Sequence, residues 1–129
     1  MTVHKSGKWL INANYTEGSI SVFPLSENGN IEAATQILHF TEGSNIISKR
    51  QDRAHIHAAV FSPNYDYVFF PDLGADKIWF YQFDTLNIQP LQNEGFIKSM
   101  PGSGPRHLIF HPNGQYAYCI EELAGAISV

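Results

Sequence analysis

Short apolar runs, rich in aromatic and β-branched residues and regularly interrupted by Gly, Pro, Asn and Asp, recur along the whole chain. The run Tyr67-Val68-Phe69-Phe70 is typical: too short for a helix, and composed of residues that favour a pleated, half-buried surface. Three segments align without gaps. The first is Gly7–Asn14 continuing to Ile20–Phe23, the second Tyr65–Asp72 continuing to Ile78–Tyr81, and the third Gly114–Glu121 continuing to Ile127–Val129. Each opens on a polar turn (Lys5-Ser6-Gly7, Ser62-Pro63-Asn64, His111-Pro112-Asn113-Gly114), which supplies tight-turn geometry before a strand. Each then carries an aromatic residue (Trp9, Tyr67, Tyr116) and a matched isoleucine. The isoleucines Ile20, Ile78 and Ile127 lie 58 and 49 residues apart. Spacings near this size are those of propeller blades, with an insertion in the first interval.

Within a repeat, Trp9–Asn14 and Ile20–Leu25 read as antiparallel strands joined around Thr16-Glu17-Gly18. Tyr67–Pro71 and Lys77–Phe83 repeat that pattern around Gly74-Ala75-Asp76. The near-continuous apolar character of Tyr67–Phe70 predicts burial on both faces, as between neighbouring blades. The expectation is an all-β fold: one partial β-propeller domain over residues 1–129, with repeats near 1–40, 41–92 and 93–129, about two and a half blades. A propeller closes as a ring of at least four blades, so the chain reads as an internal fragment of a longer protein. Blade faces such as Tyr67–Phe70 and Trp79–Tyr81 are then expected to lack partners, and the isolated chain is expected to self-associate.

Composition changes this picture little. Hydrophobic residues make up 43% and charged residues 16%, ordinary for a folded domain. The formal net charge is −4, with eight Lys and Arg spread along the chain, which gives no footprint for nucleic acid or an anionic membrane. No apolar stretch approaches membrane-span length. The single cysteine, Cys119, reads as a small buried hydrophobe. One thiol makes no internal disulfide, so nothing marks an oxidising compartment and a cytoplasmic location is expected.

Two clusters stand out against this background. In Arg53-Ala54-His55-Ile56-His57, period-two spacing puts both histidines on one face of an extended segment. In Pro101-Gly102-Ser103-Gly104-Pro105-Arg106-His107, Pro and Gly build a rigid turn that presents Arg106 at the start of a strand. The acidic pair Glu121-Glu122 ends the third repeat's apolar strand, and ungapped alignment sets Glu121 against Asn14 and Asp72. An imidazole, a guanidinium and a carboxylate at one channel mouth form a usable acid–base site. His55, His57, His107 and His111 match no established metal-ligand spacing, and no metal is expected.

The stretches Gly7–Tyr15 with Gly18–Phe23, Phe61-Ser62-Pro63 with Pro71–Lys77, and Pro101–His107 with Phe110–Gly114 resemble the lactonase family. This is the group of seven-bladed propellers that contains 6-phosphogluconolactonase and carboxymuconate-lactonizing enzyme. The resemblance covers nearly the whole chain. It implies catalytic roles for His57, Arg106 and Glu122, with His55, His107 and Glu121 as substrate-binding neighbours and a further arginine from a later blade beyond Val129. It also implies a small sugar lactone as partner, 6-phospho-glucono-1,5-lactone above all, hydrolysed without a cofactor. A muconolactone cycloisomerase of the same family and a non-catalytic binding scaffold are the alternatives. Two positions depart from the family pattern. Ala54 stands where Pro is usual, which is expected to loosen the turn that aims the histidines. Glu121 stands where Asn is usual, leaving open which glutamate faces the channel.

Overall fold

A computed structural model describes residues Met1–Val129 and contains strands, turns and loops but no helix. The eleven strands form three antiparallel meanders. The first sheet holds β1 (Thr2–Val3), β2 (Trp9–Asn14), β3 (Ser19–Pro24) and β4 (Gln36–His39), in that order. The second holds β5 (Val60–Phe61), β6 (Tyr67–Asp72), β7 (Lys77–Phe83) and β8 (Leu91–Lys98). The third holds β9 (Pro105–Phe110), β10 (Ala117–Glu121) and β11 (Ala126–Ser128). Sequential strands pair with sequential neighbours throughout, as in propeller blades. Strand β8 carries the second sheet through Lys98, so the sheet extends past the repeat division read near residue 92.

The three repeats share one hairpin register. The aligned pairs Asn14↔Ser19, Asp72↔Lys77 and Glu121↔Ala126 close the β2–β3, β6–β7 and β10–β11 hairpins. At the first residue of each pair, a side chain bonds to the residue seven positions later. The Asn14 amide donates to the Ser21 hydroxyl at 3.3 Å, Trp79 Nε1 donates to Asp72 at 3.1 Å, and Ser128 Oγ donates to Glu121 at 2.7 Å. This diagonal tie pins each hairpin at the same height. It explains why a polar residue ends three otherwise apolar strands.

The core lies between the first two sheets. Trp9, Ile11, Ile20 and Val22 face Phe61, Val68, Phe70, Tyr81 and Phe83 in one continuous cluster. Burial of Phe70 alone contributes about 1.5–3 kcal/mol. The other side of β6 also packs, since Phe69 meets Phe110 of the third sheet at 5.2 Å. The sequence expectation of unpartnered faces at Tyr67–Phe70 and Trp79–Tyr81 is therefore corrected. Val68 and Phe70 are fully buried and Tyr81 nearly so, because the second sheet lies between the other two. Exposed apolar side chains occur on the outer sheets, Val3 and Ile37 on one side and Ile109, Ile120 and Ile127 on the other, and at Phe96 and Ile97 on β8 of the second sheet.

Close approach between sheets dictates one glycine. A Cβ at Gly18 (φ +66°) would lie 2.7 Å from the Phe40 carbonyl oxygen and 2.8 Å from that of Ala54. The matched position in the second sheet is Asp76, with φ +52°, a backbone region that Asp tolerates better than most residues. Its carboxylate is put to use as a tie between loops.

Candidate active site

Asp76 is almost completely buried and accepts three hydrogen bonds. The donors are the Gln51 side-chain amide at 2.6 Å, the Gly102 amide at 2.7 Å and the Gly104 amide at 2.9 Å. Gln51 belongs to the loop that leads to the histidines and is itself fully buried. It also donates to the Leu73 carbonyl and accepts from the Ile47 amide. Gly102 and Gly104 belong to the turn that leads to Arg106. One buried carboxylate thus fixes the loop before the second sheet against the loop before the third. That second loop in turn holds Glu122, whose amide donates to the Gly104 carbonyl at 2.9 Å.

The histidine segment runs alongside β6 before β5 begins. Ile56 bridges Asp72, the Leu73 amide donates to the His55 carbonyl, and the His57 amide donates to the Pro71 carbonyl. The His55 amide donates to Asp72, a carboxylate fully buried beneath the turn whose carboxyl burial pushes upward in pKa. Three bonds thus tie the segment to the end of β6 with alanine at position 54. Ala54 is fully buried, packed against Gly18.

Arg106 owes its aim to a β-bulge. His107 pairs with Ile120 and Pro105 with Glu121, so Arg106 is the extra residue of β9, opposite no partner. Bulges at strand starts re-aim a side chain in this way. The Arg106 Nε–H donates to His57 Nε2 at 2.8 Å, and the same nitrogen lies 2.9 Å from Glu122 Oε2 in an ion pair. The other oxygen of Glu122 receives Arg50 Nη2 at 2.6 Å. His57, Arg106 and Glu122 are thus in direct contact, and Arg50 joins them. With Tyr15 and Leu73 they line an open cavity of about 210 Å³. All three sheets contribute to it: Tyr15 follows β2, Arg50 and His57 precede β5, and Arg106 and Glu122 flank the third sheet's first hairpin.

Electrostatics follow from these contacts. Because a guanidinium is always a donor, His57 Nε2 accepts and the ring is neutral with its proton on Nδ1. Burial lowers the His57 pKa below its ordinary value, and the positive Arg106 lowers it further. Protonation would place the ring's second proton on Nε2 facing the Arg106 N–H, which disfavours the imidazolium in the same sense. Arg50 holds the Glu122 carboxyl below the usual carboxylate range, and Arg106 adds to that effect. The cluster therefore carries two guanidiniums, one carboxylate and a neutral imidazole. It is a basic site with an excess of one positive charge.

The neighbours named from sequence take other places. His55 stacks on Tyr15, with ring centroids 4.5 Å apart, and its Nδ1 meets the Tyr15 carbonyl at 3.1 Å. His107 packs edge-on against His57, with centroids 4.9 Å apart. Neither lines the cavity. Glu121 does not line this cavity: it is buried, accepts from Ser103 and Ser128, and borders a cleft between the second and third sheets. Its matched position in the other repeats is the structural tie described above. The glutamate that faces the cavity is Glu122. The cleft beside Glu121 is larger, about 450 Å³, but its walls are mainly apolar. Cys119 in that wall has its thiol pushed up to about 11 by burial and is no nucleophile at neutral pH. Arg50 and Tyr15 were missed as site residues by sequence reasoning: Arg50 sits in a loop that the repeat does not match, whereas Tyr15 aligns with Leu73 and Glu122, and all three line the cavity.

Comparison with known proteins adds an independent line. Residues 1–129 match the family described as "Lactonase, 7-bladed beta-propeller". The chain is 45% identical over 128 residues to a 6-phosphogluconolactonase of Formosa agariphila, covering 98% of this chain and 36% of that protein. It is 34% identical to a 6-phosphogluconolactonase of Bacillus subtilis, with 98% of this chain and 35% of that protein covered. Among solved structures, a periplasmic gluconolactonase of Pseudomonas aeruginosa superposes with a TM-score of 0.90 at 36% identity, covering 97% of this chain and 36% of that one. The chain spans about a third of the length of each of these relatives.

Proposed function

This chain belongs to the seven-bladed β-propeller lactonase family, and on that premise we propose that the whole protein hydrolyses a sugar 1,5-lactone, 6-phospho-glucono-1,5-lactone foremost. The observation that carries the reading is the contact between His57, Arg106 and Glu122 at one cavity, with a neutral imidazole beside an always-charged guanidinium.

The chemistry is that of an activated ester, for which base, oxyanion donor and orientation suffice. Arg106 turns its guanidinium from His57 to the lactone carbonyl oxygen and stabilises the oxyanion that develops there. This frees the His57 Nε2 lone pair, which takes a proton from water as the water oxygen bonds to the carbonyl carbon. The bond from that carbon to the ring oxygen then breaks, and His57 returns the proton to the ring oxygen. Glu122 keeps Arg106 in place through its other contact and balances the imidazolium while it exists.

The whole protein is expected to hydrolyse 6-phospho-glucono-1,5-lactone above the spontaneous rate. The acid limb of its kcat/KM profile is expected to lie below the ordinary histidine value of about 6.5, because burial and Arg106 favour the neutral base. By linkage, the unfolded chain binds the His57 proton more readily than the folded one. The associated stability is present above about pH 6.5 and is lost as pH falls through the lower folded value. No turnover of either the phosphorylated or the unphosphorylated lactone would end the reading. A phosphorylated substrate also goes with a cytoplasmic location, where sugar phosphates are made and retained, and cell fractionation tests this.

The 129-residue chain on its own is proposed to self-associate through Ile109, Ile120 and Ile127, all exposed on the third sheet. Light scattering is expected to read a dimer or larger species, and a monomer across the micromolar range would count against it.

A further inference from the structure

Within the lactonase reading, on which the following rests, we infer that Arg50 is the residue that selects a phosphorylated sugar, receiving the phosphate monoester while Arg106 serves the lactone carbonyl. In the empty cavity both guanidiniums share the single carboxylate of Glu122, at 2.6 Å and 2.9 Å. One carboxylate leaves one positive charge without a counterion, so the cavity is short of an anion. Arg106 is aimed by its bulge and bonded to His57 as well, whereas Arg50 comes from the loop before β5 and reaches Glu122 through one terminal nitrogen, with the Tyr15 side chain also beside its guanidinium.

Its backbone and side chain behave oppositely. The next residue, Gln51, is fully buried and tied to Asp76, and the Arg50 amide donates to the Ile47 carbonyl, so the loop is fixed. The side chain is 43% exposed, free to exchange a carboxylate for a phosphate at the cavity rim. The nearby Arg53 offers a contrast, since it pairs with the adjacent Asp52 and does not line the cavity. A guanidinium fork matches phosphate oxygens two at a time, a geometry that lysine lacks. In this arrangement Glu122 is the resting partner of Arg50, and phosphate binding releases that carboxylate wholly to Arg106.

The test uses the whole protein and its Arg50→Gln and Arg50→Lys variants, assayed on 6-phospho-glucono-1,5-lactone and on glucono-1,5-lactone. For Arg50→Gln, KM for the phosphorylated lactone is expected to rise about tenfold or more, with kcat falling much less. The preference for the phosphorylated over the plain lactone is expected to fall by about the same tenfold. Arg50→Lys is expected to restore part of that preference. Inorganic phosphate is expected to compete with substrate in the parent protein and about tenfold more weakly in Arg50→Gln. If Arg50→Gln lowers kcat/KM equally for both lactones, Arg50 only holds Glu122 and the inference fails while the lactonase reading stands. If the parent protein hydrolyses neither lactone, the lactonase reading fails first and takes this inference with it.

Discussion

Replacing Arg106 with alanine is expected to lower kcat/KM of the whole protein about 10²–10³-fold, the scale seen when a preorganised oxyanion donor is removed. The loss is expected mainly in kcat, because the interaction with the carbonyl oxygen strengthens as charge develops there. A second signature accompanies it. Arg106 is one of the positive groups that lower the His57 pKa, so its removal should move the acid limb of the pH profile upward. Arg106→Lys keeps a charge but lacks the planar guanidinium with its several donors, and is expected to fall between parent and alanine variant. Stability should barely change, within about 1 kcal/mol, because the side chain is 42% exposed and its ion pair is solvent-screened. Steady-state kinetics and urea unfolding on the same preparations check both halves. A loss of less than about threefold would remove Arg106 from the chemistry.

Asp76→Ala is expected to destabilise the protein by about 3–5 kcal/mol. The substitution leaves the Gln51 amide and the backbone amides of Gly102 and Gly104 without their acceptor in a buried setting. It also places alanine at φ +52°, which adds about 1 kcal/mol of backbone strain. Asp76→Gly separates the two causes. It relieves the strain but loses the same hydrogen bonds, so it should sit about 1 kcal/mol above the alanine variant and still well below the parent. Asp76→Asn keeps one acceptor oxygen and tolerates this backbone region, and should be mildest. Activity is expected to fall in the same order, because Asp76 ties the loop carrying Arg50 to the loop carrying Arg106. An Asp76→Gly protein as stable as the parent within about 0.5 kcal/mol would refute the role.

The repeat made most of the fold legible. Turn, aromatic and isoleucine recur in order, and strands begin at or within a residue of where that pattern puts them, at Trp9, Ser19, Tyr67 and Lys77. Arg106 and the His55–His57 segment were legible as clusters because they lie at matched places before a sheet. What sequence could not supply was direction. Whether Glu121 or Glu122 faces the cavity depends on which one occupies the hairpin tie, and the alignment of Glu121 with Asn14 and Asp72 held that answer without its meaning. The tie became readable only when Ser21, Trp79 and Ser128 were seen seven residues on, across the hairpin. Tyr15 shares its repeat position with Leu73 and Glu122, next to the tie, and so was legible in principle; Arg50 carried no such signal, since its placement comes from loop contacts distant in sequence. The bulge at Arg106 is likewise a product of strand pairing, invisible in a run that reads as regular alternation.

No single sheet owns the cavity. Tyr15, the Arg50–His57 pair and the Arg106–Glu122 pair arrive from three separate meanders, so the site works as a gauge of how those meanders are angled to one another. A tilt of one meander that left every internal ladder whole would still part imidazole from guanidinium. In a molecule built this way, chemical competence reports on the seams between the pieces, and it vanishes before any one piece comes undone.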